Sequence, residues 1–146
     1  MGPVVYWEDV EVGQDLPSIV KRPTTRQLAQ YAGASGDFYE VHYDDAFARA
    51  AGLPGVIVHG ALKSAFLAQL VTDWIGDEGS LTRLGVQYRG MDMPGDALTC
   101  GGRVTKKYVE EGVCYVTCAL WLENGAGERT TSGAATAILP SRVPAA

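Results

Sequence analysis

The feature that most constrains this sequence is a long apolar stretch from Gly60 to Ile75, with no charge between Lys63 and Asp73. As a helix, these residues would span about 24 Å. A membrane helix needs about 20 apolar residues, so this stretch is short for that role. A helix that is apolar on most sides must then be covered by other parts of a protein. We therefore predict a central buried helix.

Strand patterns fill the chain after this helix. The candidates are Leu81–Arg89, Ala97–Val109, Val113–Glu123 and Glu128–Leu139. The third alternates apolar with polar or aromatic residues at a period of two, which is typical of a half-buried strand. Short segments rich in glycine separate the strands, and this spacing favours antiparallel hairpins over crossovers. The simplest architecture is α+β, with one antiparallel sheet wrapped around the long apolar helix.

Two shorter helices are predicted before the apolar one. The first covers Thr24–Ala32, begins at a threonine cap and is broken by Gly33 and Gly36. The second runs from about Asp44 to Ala51, with acidic residues at its positive end. The length of 146 residues suits one domain. No internal repeat or linker is evident, so we predict a single domain over residues 1–146.

Composition excludes several classes of function. The chain has 12 basic and 17 acidic residues, a net charge of −5 and a pI of about 4.9, which disfavours nucleic-acid binding. We expect no membrane span and no signal peptide, and hence a cytoplasmic location. The three cysteines are odd in number and form no CxxC pair, which indicates reduced thiols packed in a core.

Candidate chemistry lies around the two histidines of the chain. Asp37 and His42 are joined by a loop that spans at most about 17 Å, so they can form an acid–base pair that holds a water. His59 precedes Gly60 at the start of the apolar helix, where free N–H groups favour negative charge. The Gly60 N–H is a candidate oxyanion donor. The alternatives are that Gly60 only packs against the sheet and that His59 is a satisfied core residue.

A metal site is not expected from these residues. The two histidines lie seventeen residues apart, and the sequence shows no third ligand clustered with them. A zinc site needs three or four ligands at characteristic spacings. No phosphate-binding loop or dinucleotide fingerprint is present either.

Two motifs in the correct order carry a family resemblance. Tyr31–Asp37 ending at His42, followed by Val58–Leu62, resembles the MaoC-like dehydratases and (R)-specific enoyl-CoA hydratases. Their pattern is Gly-Asp-x-Asn-Pro-x-His, with His-Gly about seventeen residues later. The resemblance implies the hot-dog fold and a hydro-lyase that reversibly hydrates trans-2-enoyl thioesters to (R)-3-hydroxyacyl thioesters. It also implies a homodimer or higher oligomer, or pairing with a different hot-dog subunit.

The resemblance also implies roles for single residues. Asp37 and His42 would hold the reacting water, and the Gly60 N–H would bind the thioester carbonyl. The substrate would be an acyl-CoA or acyl-carrier-protein thioester, and this handle would be the only cofactor-like group. Because CoA phosphates need positive charge, Lys63 is a candidate substrate-binding residue, and Arg89 and Lys106 are two further candidates.

The sequence departs from the family pattern at two positions beside the site. Tyr39 and Glu40 stand where the family has Asn and Pro. Tyr39 is therefore a candidate substrate-binding residue, and the substrate range is left open. Glu40 either points inward, where it would raise a pKa within the Asp37–Glu40 pair, or is a solvated turn residue.

Two other functions fit the same fold and ligand class. In a thioesterase, water attacks C1 of the acyl group and releases the free thiol, whereas in a hydratase it attacks C3. In a non-catalytic partner subunit, the Asp or the His would usually be lost, but Asp37 and His42 are both present here. The motif therefore favours the hydratase.

Overall fold

The computed structural model of this chain describes residues 2–144. Its strands and helices are, in chain order, β1 (Ile19–Lys21), α1 (Thr25–Ser35), α2 (Asp45–Ala50), α3 (Gly60–Ile75), β2 (Ser80–Tyr88), β3 (Leu98–Glu110), β4 (Val113–Glu123) and β5 (Arg129–Ile138). Short 3-10 turns lie at Trp7–Asp9 and Glu40–His42. Within the described residues, no helix has the length and apolar character needed to cross a membrane.

The five strands form one antiparallel sheet in the order β1-β3-β4-β5-β2. The predicted hairpins between β3 and β4 and between β4 and β5 are confirmed. The prediction of a hairpin between β2 and β3 is wrong, because β2 pairs with β5 at the far edge of the sheet. The free edge of β3 is instead taken by β1, a three-residue strand that is too short to show a periodic pattern.

Helix α3 has the predicted bounds and packs one face against the sheet. Its buried residues are Leu62, Lys63, Phe66, Leu67, Leu70, Val71 and Ile75. Together with the inward-facing residues of the strands they form one continuous core. Burying one such leucine stabilises a fold by about 1.5–3 kcal/mol. The sheet therefore wraps around the helix as predicted, and the stripe of α3 that includes Ala61, Ala65 and Gln69 is exposed in the single chain.

Curvature of the sheet comes from irregular strand pairing. Register shifts occur in the pairs β2–β5, β3–β4 and β4–β5, and such bulges bend and twist a strand. Strands β2 and β5 also approach closely at two glycines in adjacent register positions, where Gly85 pairs with Ala134 and Gly133 pairs with Val86. A Cβ atom on Gly133 would lie 2.3 Å from the carbonyl oxygen of Gly85, so only glycine permits this approach.

The two short helices begin at side-chain caps. The hydroxyl of Thr24 accepts a hydrogen bond from the Gln27 N–H at 3.1 Å, and Asp44 caps α2 in the same way. Helix α1 continues through Gly33, contrary to the prediction, since one glycine costs a helix only about 1 kcal/mol. It ends at Gly36, whose φ of 78° is readily adopted by glycine and turns the chain towards Asp37.

The cysteines are packed as predicted. Cys100 and Cys118 are buried, and Cys114 is half-buried; none forms a disulfide. Burial raises the pKa of the Cys100 and Cys118 thiols to about 11. These two residues therefore remain neutral thiols and contribute to the core as small apolar side chains.

Candidate active site

The loop after α1 presents the carboxylate of Asp37. Its backbone N–H donates to the Ser35 hydroxyl at 3.2 Å, and its Oδ1 accepts from the Tyr39 N–H at 3.4 Å. A carboxylate that accepts from the second residue along is typical of a tight turn. The side chain of Asp37 is 46% exposed. Local hydrogen bonds thus orient the carboxylate while leaving it open to ligands.

The imidazole of His42 lies beside this carboxylate and is largely buried. Its Nδ1 is 2.8 Å from the carbonyl oxygen of Ile57, and because a carbonyl only accepts, Nδ1 carries the proton. In the neutral ring Nε2 is then an acceptor, and it lies 3.7 Å from Oδ2 of Asp37. This distance is too long for a direct hydrogen bond. It allows one water to donate to both groups, as the sequence hypothesis requires.

His59 is fully buried directly against this pair. Its Nε2 is 3.3 Å from the carbonyl oxygen of Asp37, and its ring stacks on that of His42 with centroids 3.8 Å apart. The edge of Tyr31 covers it at 4.9 Å. Burial, and secondly the nearby His42, lower the pKa of His59 below its usual value. The sequence placed His59 in the core but did not reveal that it contacts both catalytic candidates.

Gly60 begins α3 next to His59, and its N–H belongs to the first turn, where intrahelical acceptors are lacking. A Cβ atom at this position would lie 3.0 Å from the ring of Tyr88. Tyr88 is held in turn by a 2.6 Å hydrogen bond between its hydroxyl and that of Ser64. A side chain at Gly60 would therefore have to displace the Tyr88 ring by a few tenths of an ångström, so glycine suits the close packing at the start of the helix.

Lys63 does not lie at the surface, which corrects its expected role. Its side chain is only 3% exposed, and its ammonium is 3.0 Å from Oδ2 of Asp92 and 3.0 Å from the Gly90 carbonyl oxygen. The hydroxyl of Thr130 donates to the same Asp92 oxygen at 2.6 Å. The ammonium is thus paired inside the domain and cannot also bind CoA phosphates. The predicted burial of α3 could have indicated that Lys63 needs a buried partner, but the sequence did not show which residue it was.

Aromatic side chains surround the opening of the site. Tyr39 is exposed and meets His42 edge-on at 6.1 Å and Phe47 at 6.0 Å. Phe38 and Tyr43 are also exposed, with their rings 6.5 Å apart. Glu40 is exposed at the start of the 3-10 turn, which agrees with the solvated-turn alternative. The replacement of Asn and Pro therefore puts an aromatic ring, rather than a second carboxylate, beside His42.

The sequence showed no third potential metal ligand near the two histidines, but in the folded structure Asp37 lies beside both of them. Asp37, His42 and His59 each offer a ligand atom within 4.8 Å of the others. However, the two imidazoles are stacked with only 20° between their planes. The lone pairs of a ring nitrogen lie in the ring plane, so stacked rings do not direct them at one ion. This arrangement suits proton handling better than metal coordination.

Solved structures share this architecture of a curled antiparallel sheet around a helix. The (R)-hydratase from Aeromonas caviae has a TM-score of 0.81 at 27% identity, over 91% of this chain and 99% of the other. The R-hydratase PhaJ1 from Pseudomonas aeruginosa has a TM-score of 0.84 at 26% identity, over 98% of this chain and 92% of the other. The fold is therefore the hot-dog fold, as predicted.

Sequence comparisons agree with the structural ones. The (R)-specific enoyl-CoA hydratase of A. caviae is 30% identical over 122 residues, which cover 82% of this chain and 89% of that enzyme. The fatty acid synthase subunit beta of Aspergillus oryzae is 33% identical over 110 residues, but this chain spans only 5% of its length. The family model described as MaoC like domain matches residues 9–119. The chain therefore belongs to the MaoC-like domain family.

Proposed function

We propose that this protein is a hydro-lyase that reversibly hydrates trans-2-enoyl thioesters to (R)-3-hydroxyacyl thioesters. The observation that carries the proposal is the pair of acceptors formed by Asp37 Oδ2 and His42 Nε2, 3.7 Å apart at an open surface. The similarity to an (R)-specific enoyl-CoA hydratase over most of both chains supports the same reaction.

The pair explains how a water becomes a directed nucleophile. When both hydrogens of the water are donated, one to Asp37 and one to His42, its lone pairs point away towards the substrate. Attack on C3 forms the new C–O bond, and the C2=C3 π electrons move towards the thioester carbonyl. Asp37 takes the proton that the water loses and returns it to C2. The sum is the addition of one water across the double bond.

The start of α3 supplies the second element of the mechanism. Negative charge develops on the thioester oxygen as C3 is attacked. The Gly60 N–H lies in the first turn of α3, where the helix dipole favours an anion. Such a preorganised donor typically accelerates a reaction about 10²–10³-fold. His59, the residue before Gly60, contacts both Asp37 and His42. The donor therefore lies in a segment that adjoins the water-holding pair.

The substrate handle is proposed to be CoA or a carrier protein, with no separate cofactor. Hydration transfers a proton and a hydroxide without any change of oxidation state at the enzyme, so acid–base groups suffice. Tyr39 is proposed to contact the substrate, since its exposed ring borders His42. Arg89 and Lys106 are both exposed and remain candidates for the phosphates of CoA. The three free thiols support a reducing, cytoplasmic location.

An oligomer is proposed as the working form. The outer edge of β2 presents unpaired backbone groups along a strand of nine residues, and such an edge is suited to pairing with a second chain. The exposed stripe of α3 with Ala61 and Ala65 would be covered in the same assembly. A homodimer is the simplest form, and light scattering at several concentrations distinguishes it from a monomer and from a higher oligomer.

The proposed reaction is tested by following two signals from one mixture of purified protein and crotonyl-CoA. Loss of the enoyl absorbance reports hydration, and a thiol reagent reports hydrolysis of the thioester. We expect absorbance loss without thiol release, abolished in Asp37→Asn and retained in Asp77→Asn, which removes an exposed carboxylate beyond the other end of α3. Thiol release would show a thioesterase instead. Activity only after addition of a second hot-dog subunit would show a non-catalytic partner.

A further inference from the structure

We infer that His59 is a positioning residue that holds Asp37 and His42 in the geometry needed to bind the reacting water. The inference rests on the proposed hydration reaction and adds to it a third group, which is buried and does not touch the substrate. It is carried by two contacts of the same imidazole, one to each member of the pair.

The first contact fixes the backbone of Asp37. His59 Nε2 lies 3.3 Å from the Asp37 carbonyl oxygen, so Nε2 must carry the proton and donate it. Asp37 sits in an exposed loop directly after the end of α1, where its other restraints come from Ser35 and Tyr39 close by in sequence. The bond from His59 ties this loop to the residue that precedes α3.

The second contact fixes the ring of His42. The two imidazoles are nearly parallel, with centroids 3.8 Å apart, and Tyr31 covers His59 from another side. The Ile57 carbonyl holds one edge of His42 through Nδ1. Together, the edge contact and the stack leave the ring little freedom to rotate, so that Nε2 stays directed at Asp37.

A histidine at this buried position is costly unless it has such a role. His59 is 0% exposed, and its Nδ1 has no hydrogen-bond partner among the described residues. A buried polar atom without a partner destabilises the folded state. A phenylalanine would remove that cost but would lose the donor to Asp37. A glutamine would keep a donor but would lose the ring under His42. Histidine provides both the donor to Asp37 and the ring that stacks on His42.

The test uses His59→Phe and His59→Gln, which separate the stack from the hydrogen bond. Displacing catalytic groups by about 1 Å can cost about 10²-fold in rate, so we expect kcat with crotonyl-CoA to fall about 10–10²-fold in each variant. We expect kcat and kcat/KM to fall together, because geometry for the transition state is lost rather than ground-state binding. Tyr31→Leu is the matched control, since it removes packing on His59 but keeps both contacts, and it should retain nearly full kcat.

A second measurement does not depend on activity. The chain has two histidines, so each His59 variant has a single imidazole and the NMR signals of His42 are assigned at once. In the wild type we expect the proton of His59 on Nε2 and that of His42 on Nδ1, with His42 ring protons shifted by the neighbouring ring. If His59 is protonated on Nδ1 instead, or if both folded variants retain full kcat, the inference fails. An inactive wild type with the expected NMR signals contradicts the proposed reaction but not the contacts.

Discussion

Two polar clusters flank the start of α3, and they use similar residues in opposite ways. The first, which we call the open cluster, consists of Asp37, His42 and His59. The second, the closed cluster, consists of Lys63, Asp92 and Thr130. In the open cluster the carboxylate is 46% exposed and 3.7 Å from its basic partner. In the closed cluster the carboxylate is 0% exposed and lies 3.0 Å from an ammonium and 2.6 Å from a hydroxyl.

This difference shows how one fold keeps the groups proposed for catalysis apart from the groups that stabilise it. A buried carboxylate that is already paired, as Asp92 is through Oδ2 in the closed cluster, holds protein segments together. A carboxylate whose basic partner is too far for a direct bond, as in the open cluster, retains capacity for a ligand on that oxygen. The two clusters are linked, because the Asp92 carbonyl oxygen accepts from the Val58 N–H at 2.8 Å, just before His59. The closed cluster thus supports the segment from which the open cluster is built.

The largest effect is expected from Asp37→Asn in the open cluster. The amide cannot accept the proton of the water, so kcat should fall by about 10²–10⁴-fold. The side chain is half exposed, so the free energy of unfolding should change by no more than about 0.5 kcal/mol. Enzyme kinetics and urea unfolding of the same preparation measure both. A large loss of stability would break the comparison, since Asp37 would then be structural.

A large loss of stability is expected from Lys63→Met in the closed cluster. It leaves the Asp92 carboxylate buried without its cation, which typically costs about 3–5 kcal/mol of unfolding free energy. The double variant Lys63→Met with Asp92→Asn should recover much of this loss. Arg49→Met is the matched control, because its pair with Asp45 is exposed and such pairs are worth about 0–1 kcal/mol. Equal losses in the buried and exposed variants would contradict this assignment.

A smaller effect is expected from Thr130→Val. The hydroxyl donates to Asp92 at 2.6 Å, and hydrogen bonds to charged groups contribute about 1.5–3 kcal/mol. Valine has a similar shape, so the change removes this bond with little change in packing. Urea unfolding gives the loss of stability, and kcat of the folded protein should stay near that of the wild type. A fall in kcat larger than that of Lys63→Met would mean that Thr130 acts on the open cluster directly.

The smallest expected effect is the contribution of His59 to the pH dependence of the free energy of unfolding. Burial lowers its folded pKa below the unfolded value of about 6.5, so between these two values the unfolded chain binds more protons. Stability should therefore fall as the pH falls through this window and should not change further from this cause below the folded pKa. The wild type should lose more stability than His59→Gln between about pH 7.5 and about pH 5.5. Equal pH dependence in urea unfolding would show that His59 is not desolvated.

The sequence by itself determined those features that depend on neighbours along the chain. The apolar run predicted α3 with its observed bounds, and the alternating pattern predicted β4, because helix and strand periods are read locally. Asp37 and His42 were predicted to meet because the loop between them is short. The caps of α1 and α2 follow from single polar side chains at their starts.

Only the tertiary structure decided which distant segments meet. Strand β2 pairs with β5 and not with its neighbour in sequence, β3, whose outer edge is paired with β1. His59 contacts Asp37 across 22 residues and Lys63 contacts Asp92 across 29, and no local pattern marks either contact. Such contacts arise when the core packs as a whole, since burial of apolar area is non-directional and leaves the choice of polar partners to the shape of the packed chain.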